Sequence, residues 1–238
     1  MKFLLLLFVS ILLLASCSKK SKNCKIIGMQ DGLYYNLEDS SVFTGKCNSY
    51  YNSGNIWSER NFKEGRLNGK SIEWYPNGAK KIEKLYENNQ ENGTYFMWFE
   101  NRKLAIEMNY RNSLKEGKVV TWYKNGTTEF EGNYLKGKKH GKFIGWYENG
   151  IKGIEYNMDQ DIMIGTYTEW FENGNIKQQG KYLSGKRDGL WKWWYESGKI
   201  WIEEYYNNGI KDGKYKEFNV SGSLKTEKQF SKGKEGEL

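Results

Sequence analysis

Glycine returns every 24 residues along this chain. Gly45, Gly69, Gly93, Gly117, Gly141, Gly165, Gly189 and Gly213 hold one phase without exception. A second set, Gly54, Gly78, Gly126, Gly150, Gly174, Gly198 and Gly222, holds another, with Arg102 in the remaining slot. A fixed period of this length, free of insertions, specifies an array of equal supersecondary units, each too small to bury a core alone and each packed mainly on its neighbours. Eight such units run from residue 45 onward.

The residues between the glycines predict what a unit is. Asn77-Gly78, Asn125-Gly126, Asn149-Gly150 and Asn173-Gly174 read as two-residue type I′ turns, in which both central residues need positive φ. Ser replaces the Asn at 53, 197 and 221. A looser turn holding Gly65, Gly137, Gly185, Gly209 or Gly233 leads into the next unit. One Pro, 27 Gly, 10 Trp and 18 Tyr suit strands and hairpins rather than helices. The expected fold is all-β: an elongated antiparallel meander of eight 24-residue hairpin repeats, about 75 Å long at ~4.8 Å per strand before twist.

Alternation assigns side chains to faces. Pairing across Asn173-Gly174 sets Phe171 opposite Ile176, Glu169 opposite Gln178 and Tyr167 opposite Gly180. The packed face is expected to collect the row Tyr51, Tyr75, Phe99, Tyr123, Tyr147, Phe171 and Tyr195. It also takes the row Phe62, Tyr86, Tyr110, Tyr134, Met158, Tyr182, Tyr206 and Phe230. The opposite face carries Trp74, Trp98, Trp122, Trp146, Trp170 and Trp194, beside a row of glutamates running from Glu59 to Glu227 with Gln179 in one slot. Indole N–H groups there are expected to reach the carboxylates.

Residues 1–16 stand apart. Met1 and Lys2 precede an apolar run, Phe3 to Ala15, too short for a membrane span of about 20 residues and typical of a secretory signal. The run closes on Leu14-Ala15-Ser16-Cys17, which resembles the lipobox of bacterial lipoproteins. That resemblance implies lipid attachment at Cys17, a linker over 17–31, a repeat domain over 32–238, and a place at the cell envelope. With Ser18 next, it implies the outer membrane where the cell has one. Cleavage would take Lys2 and lower the net charge from +8 to about +7. The cationic residues are spread through the turns, which allows weak attraction to anionic headgroups or polymers, and the place outside the cytoplasm that the lipobox resemblance implies argues against nucleic acid. Cys24 and Cys47 can close one disulfide in an oxidising compartment or remain thiols. With a single histidine, His140, they are too few for a four-ligand zinc site, and no cofactor is expected.

The stretch YLKGKKHGKFIGWYENG, residues 134–150, resembles the MORN repeat, and the 24-residue spacing with its WY-x-NG form looks like the bacterial variant found in the YwqK-type antitoxin family. The resemblance implies hairpin repeats used for protein or membrane-lipid association and brings no catalytic residues.

Independent chemistry is hard to place. The glutamate row sets carboxylates about 9 to 10 Å apart, near the upper end of the ~6.5–9.5 Å separation of inverting glycosidases. Yet an active site is a singular departure from a pattern, and this row recurs in every unit. His140 fills a loop slot held elsewhere by Asn68, Asn92, Asp188 and Asp212. The informative departures are Ile162, Met163 and Ile164, and the seventh unit with Trp191, Trp193 and Trp201. These six residues are the expected partner surface. The expected function is a non-enzymatic, lipid-anchored scaffold for a protein partner. The alternatives are a binder of envelope polysaccharide or anionic lipid headgroups, and an antitoxin-like inhibitor.

Overall fold

The computed structural model describes residues 21–236, so the apolar leader and Cys17 lie outside the described residues. From Gly45 onward the chain is one open antiparallel meander in which each strand pairs with those before and after it in sequence.

The two kinds of turn exchange the roles expected of them. At the Asn-Gly corners only the Gly has positive φ, as with Gly174 at 88°. Gly174 N donates to Phe171 O at 2.9 Å and Phe171 N to Asn175 O at 2.8 Å. That is a type I turn followed by a left-handed residue, a three-residue loop with a bulge. Pairing therefore slips by one: Glu169 faces Gln178 as expected, but Ile176 faces Trp170 rather than Phe171. The corners read as loose are the tight ones. Leu183 pairs with Lys186 across Ser184-Gly185, whose φ values are 50° and 80°, the two positive angles of a type I′ turn.

The physical reason Asn precedes the Gly is a hydrogen-bond pair. Asn149 Oδ1 accepts Ile151 N at 2.9 Å, closing its own turn, while Asn149 Nδ2 donates to Glu172 O in the next unit at 3.1 Å. Asn125 and Asn173 do the same. The aromatic row beside them works alongside: Tyr51, Tyr75, Tyr123, Tyr147 and Tyr195 each donate their hydroxyl to a carbonyl 23 residues on, at 2.6–3.0 Å. This row tethers neighbouring turns instead of filling the core. The strict glycines sit in bulges; Gly189 has φ 68° where Gln179–Lys181 face the longer stretch Asp188–Lys192.

The packed row is another one, two residues after each strict glycine: Cys47, Ser71, Tyr95, Val119, Phe143, Tyr167, Trp191 and Tyr215. Phe143 and Trp191 are fully buried. The expected row from Phe62 to Phe230 does border them, with edge-on contacts Tyr134–Phe143, Tyr182–Trp191 and Tyr215–Phe230 at 5.1–6.2 Å between ring centres. Such edge-to-face pairs add about 0.5–1.5 kcal/mol each beyond area burial.

Residues 22–30, expected as linker, build a cap on the first unit. Lys22–Asn23 pairs in parallel with Gly45–Tyr50, and the hairpin Ile27–Gln30 with Leu33–Asn36 folds over it. A disulfide joins Cys24 to Cys47. Around it Phe43 and Phe62 are buried, with Ile27, Tyr34 and Leu67 against them.

Candidate interaction surface

The seventh unit gathers the tryptophans on one framework, and it divides their roles. Trp191 is 0% exposed and presents no surface to a partner. Its indole N–H donates to Lys181 O at 3.1 Å, and its ring fills the space where Gly180 has no side chain. Arg187 lies over it, with Cζ 4.5 Å from the Trp191 ring, 5.2 Å from Trp193 and 5.5 Å from Tyr206. Trp193 is half-buried beside Trp191 at 5.9 Å between ring centres. Trp201 is the outward member, 40% exposed and leaning on Tyr195 at 5.7 Å.

Ile162, Met163 and Ile164 begin the strand Ile162–Trp170. Met163 turns toward the core, against Phe143, Tyr156 and Met158, while Ile162 and Ile164 are exposed. Ile162 is part of a longer feature. Five successive type I′ turns, from Asn112-Ser113 to Asn208-Gly209, each carry one large exposed apolar side chain: Leu114, Leu135, Ile162, Leu183 and Ile210, all 43–59% exposed. They alternate between the strand after the turn and the strand before it, since the paired positions are Arg111↔Leu114, Leu135↔Lys138, Asp159↔Ile162, Leu183↔Lys186 and Asn207↔Ile210. Side chains paired this way share a face. The result is an apolar ridge along one long edge, about 38 Å from end to end at two ~4.8 Å strand spacings per unit. Sequence reading by single positions missed Leu114, Leu135, Leu183 and Ile210. The signal was there, split between two positions of the period.

The hairpin geometry coincides with a known repeat. Residues 43–64, 67–88, 115–136, 163–183 and 187–208 match the family model of the MORN repeat variant. Five units of this chain are thus similar to that repeat. Each matched segment starts two residues before a strict glycine and covers one hairpin. The intervening segments keep the same turns and tethers, as Tyr147 and Asn149 show. No curated protein shows significant similarity to the chain. MORN repeats are modules of protein or membrane association and are typically non-catalytic.

Six of the seven glutamates of the row are ion-paired within the sheet, Glu107 being the exception among the described residues. In place of the expected indole contacts, the glutamates take lysines. Glu83 meets Lys70 and Lys80 at 2.8 and 2.6 Å, Glu155 meets Lys142 and Lys152 at 2.8 and 2.7 Å, and Glu59, Glu131, Glu203 and Glu227 have one lysine each. The lysine hydrogen bonds hold Glu155 below the usual carboxylate range. Burial opposes the same shift at Glu83, but its two lysines outweigh it. Such pairing makes Glu83 and Glu155 poor proton carriers at neutral pH. His140 Nδ1 lies 3.2 Å from Asp159 Oδ1, both half-exposed, at the start of a strand. Among the described residues no group of three His, Cys, Asp or Glu side chains is arranged to hold a metal ion.

Proposed function

We propose that this chain is a non-enzymatic scaffold, lipid-anchored at Cys17 to a bacterial cell envelope, that holds a protein partner along the apolar ridge of its MORN units. The ridge is the observation that carries this reading. Its five apolar side chains stand in file on one edge, a larger and more ordered exposure than scattered surface residues give. Arg111, Lys138 and Lys186 are paired across the turns with ridge residues and form no ion pair among the described residues, so the fitting partner presents an apolar stripe flanked by acidic residues. Ile164 extends the accessible apolar surface beside Ile162, whereas Trp201 stands on the other long edge, against Tyr195. The anchor rests on the apolar leader and the Leu14–Cys17 stretch.

Crosslinking in native envelope, comparing the full chain with a Leu135→Glu/Leu183→Glu variant, tests the partner. The expected result is a discrete partner captured by the wild type and lost from the folded variant. Equal capture by both removes the ridge from the reading. Cys17→Ala tests the anchor independently: the chain should leave the membrane fraction, and retention there contradicts lipid attachment.

A further inference from the structure

The tryptophan face holds a second feature, on the long edge opposite the ridge. Tyr50, Trp74, Trp98, Trp122, Trp146, Trp170, Trp194 and Phe218 stand at the ends of successive upstream strands, one ring per unit, hence about 9.6 Å apart at two strand spacings. The six tryptophans are half-buried, with part of each ring open to solvent. Between the first three rings the surface is grooved. One groove of about 900 Å³ lies between Tyr50 and Trp74, lined also by Gly54 and Gly78, and another of about 430 Å³ lies between Trp74 and Trp98, bordered by Lys80 and Arg102. Among the described residues the tryptophan N–H with a hydrogen-bond acceptor is that of Trp191, so the indole donors of this row are unspent.

Charge narrows the occupant. The row is flanked by the glutamates and lysines whose pairing was described above, at 2.6–3.7 Å. Paired charges offer donors and acceptors but little net field, which suits a neutral, hydroxyl-rich ligand better than an anionic one. Lys80 and Lys152 stand over one face of two rings of the row, with Nζ 5.0 Å from the Trp98 centre and 5.4 Å from Trp170, so a ligand at those two rings stacks on the other face. Apolar ring faces with a few convergent polar groups are the chemistry of a binding cleft. An uncharged β-1,4-linked polysaccharide repeats each disaccharide at about the spacing of the rings, and alternate sugars expose a flat C–H face. The geometry points to the tryptophan row as a platform for such a linear, uncharged β-1,4-linked polysaccharide, one disaccharide per MORN unit. This goes beyond the proposed partner scaffold and uses a different edge of the sheet.

Titration of the full chain in detergent with cello- and chito-oligosaccharides of increasing length, followed by tryptophan fluorescence, tests it. Affinity should rise at least tenfold from the disaccharide to the hexasaccharide, because each added unit engages another ring on the same rigid row. Trp74→Ala/Trp98→Ala should lower hexasaccharide affinity tenfold or more, and Trp74→Tyr/Trp98→Tyr, which keeps a stacking face and the fold, should retain most of it. Leu135→Glu/Leu183→Glu should bind sugar as the wild type does even where it loses its protein partner, so the two readings fail separately. Fluorescence and affinity indifferent to oligosaccharide length overturn the proposal, as does preferential binding of a polyuronate or of anionic phospholipid vesicles.

Discussion

The indole of Trp191 occupies the side-chain space of Gly180: a Cβ added to Gly180 would fall 2.2 Å from the ring. Phe143 and Gly132 repeat the relationship, again at 2.2 Å. At both places the residue two after a strict glycine is large and fully buried because its neighbour in the preceding unit is absent in volume. Gly180→Ala should cost about 1–3 kcal/mol, the usual price of overpacking, and Trp191→Ala about 3–5 kcal/mol through the cavity it leaves. The exchange Gly180→Met/Trp191→Val, which copies Met108 and Val119 of an earlier unit, should recover much of either loss. Urea midpoints of the four proteins check this, and a double variant no better than the worse single refutes volume exchange.

Asn149 closes its own turn and donates to Glu172 O at once. Asn149→Ala removes both bonds and should destabilise by about 1–2 kcal/mol. Asn149→Ser keeps a turn acceptor, as Ser53, Ser197 and Ser221 do, and should lose less. Asn149→Asp keeps the acceptor but sets a carboxylate against the Glu172 carbonyl, so it should rank below Ser. Thermal denaturation of the three variants gives the order.

The Cys24–Cys47 bond ties the N-terminal cap to the array across 23 residues. A loop of that size is worth about 3 kcal/mol in the chain-entropy account. Cys24→Ser/Cys47→Ser, or mild reductant, should expose the segment around residues 22–43 to limited proteolysis while the later units resist. Uniform cleavage along the chain would show that the cap and the array unfold as one.

Glu155 carries a pH dependence with a definite sign. Its folded pKa lies below the unfolded value because Lys142 and Lys152 bond the charged form. Its contribution is therefore fully present above the usual Glu value of about 4.3 and is lost as pH falls through the folded value. Glu155→Gln should be less stable than wild type at pH 7, by under about 1 kcal/mol for a pair this near the surface. The two should converge once the pH has fallen below the folded value. A gap that does not narrow as the pH falls would mean that the carboxylate acts by shape rather than charge.

The period, the hairpins and the aromatic row from Phe62 to Phe230 were legible because each repeats one residue type at one spacing. The packed row was not, since Cys47, Ser71, Val119 and Trp191 share a position but no chemistry; its constant is the volume it shares with the preceding unit, and that is a property of pairs. The turn types were exchanged for a related reason. Asn-Gly carries a strong type I′ signal, yet here Asn149 gains more from its two side-chain bonds in a type I turn, while the unremarkable Ser184-Gly185 takes the positive angles. Trp191 stood out in the sequence for density of tryptophan, and density proved to mark packing as much as surface.

The ridge counts differently from the sheet that carries it. Leu114, Ile162 and Ile210 lie 48 residues apart, as do Leu135 and Leu183, so the pattern closes only after two hairpins. Duplication or loss of a single unit would leave every turn, tether and core contact of its kind intact and still throw the alternation out of step. A chain of this design can change length by ones and keep its fold, but only by twos and keep its edge.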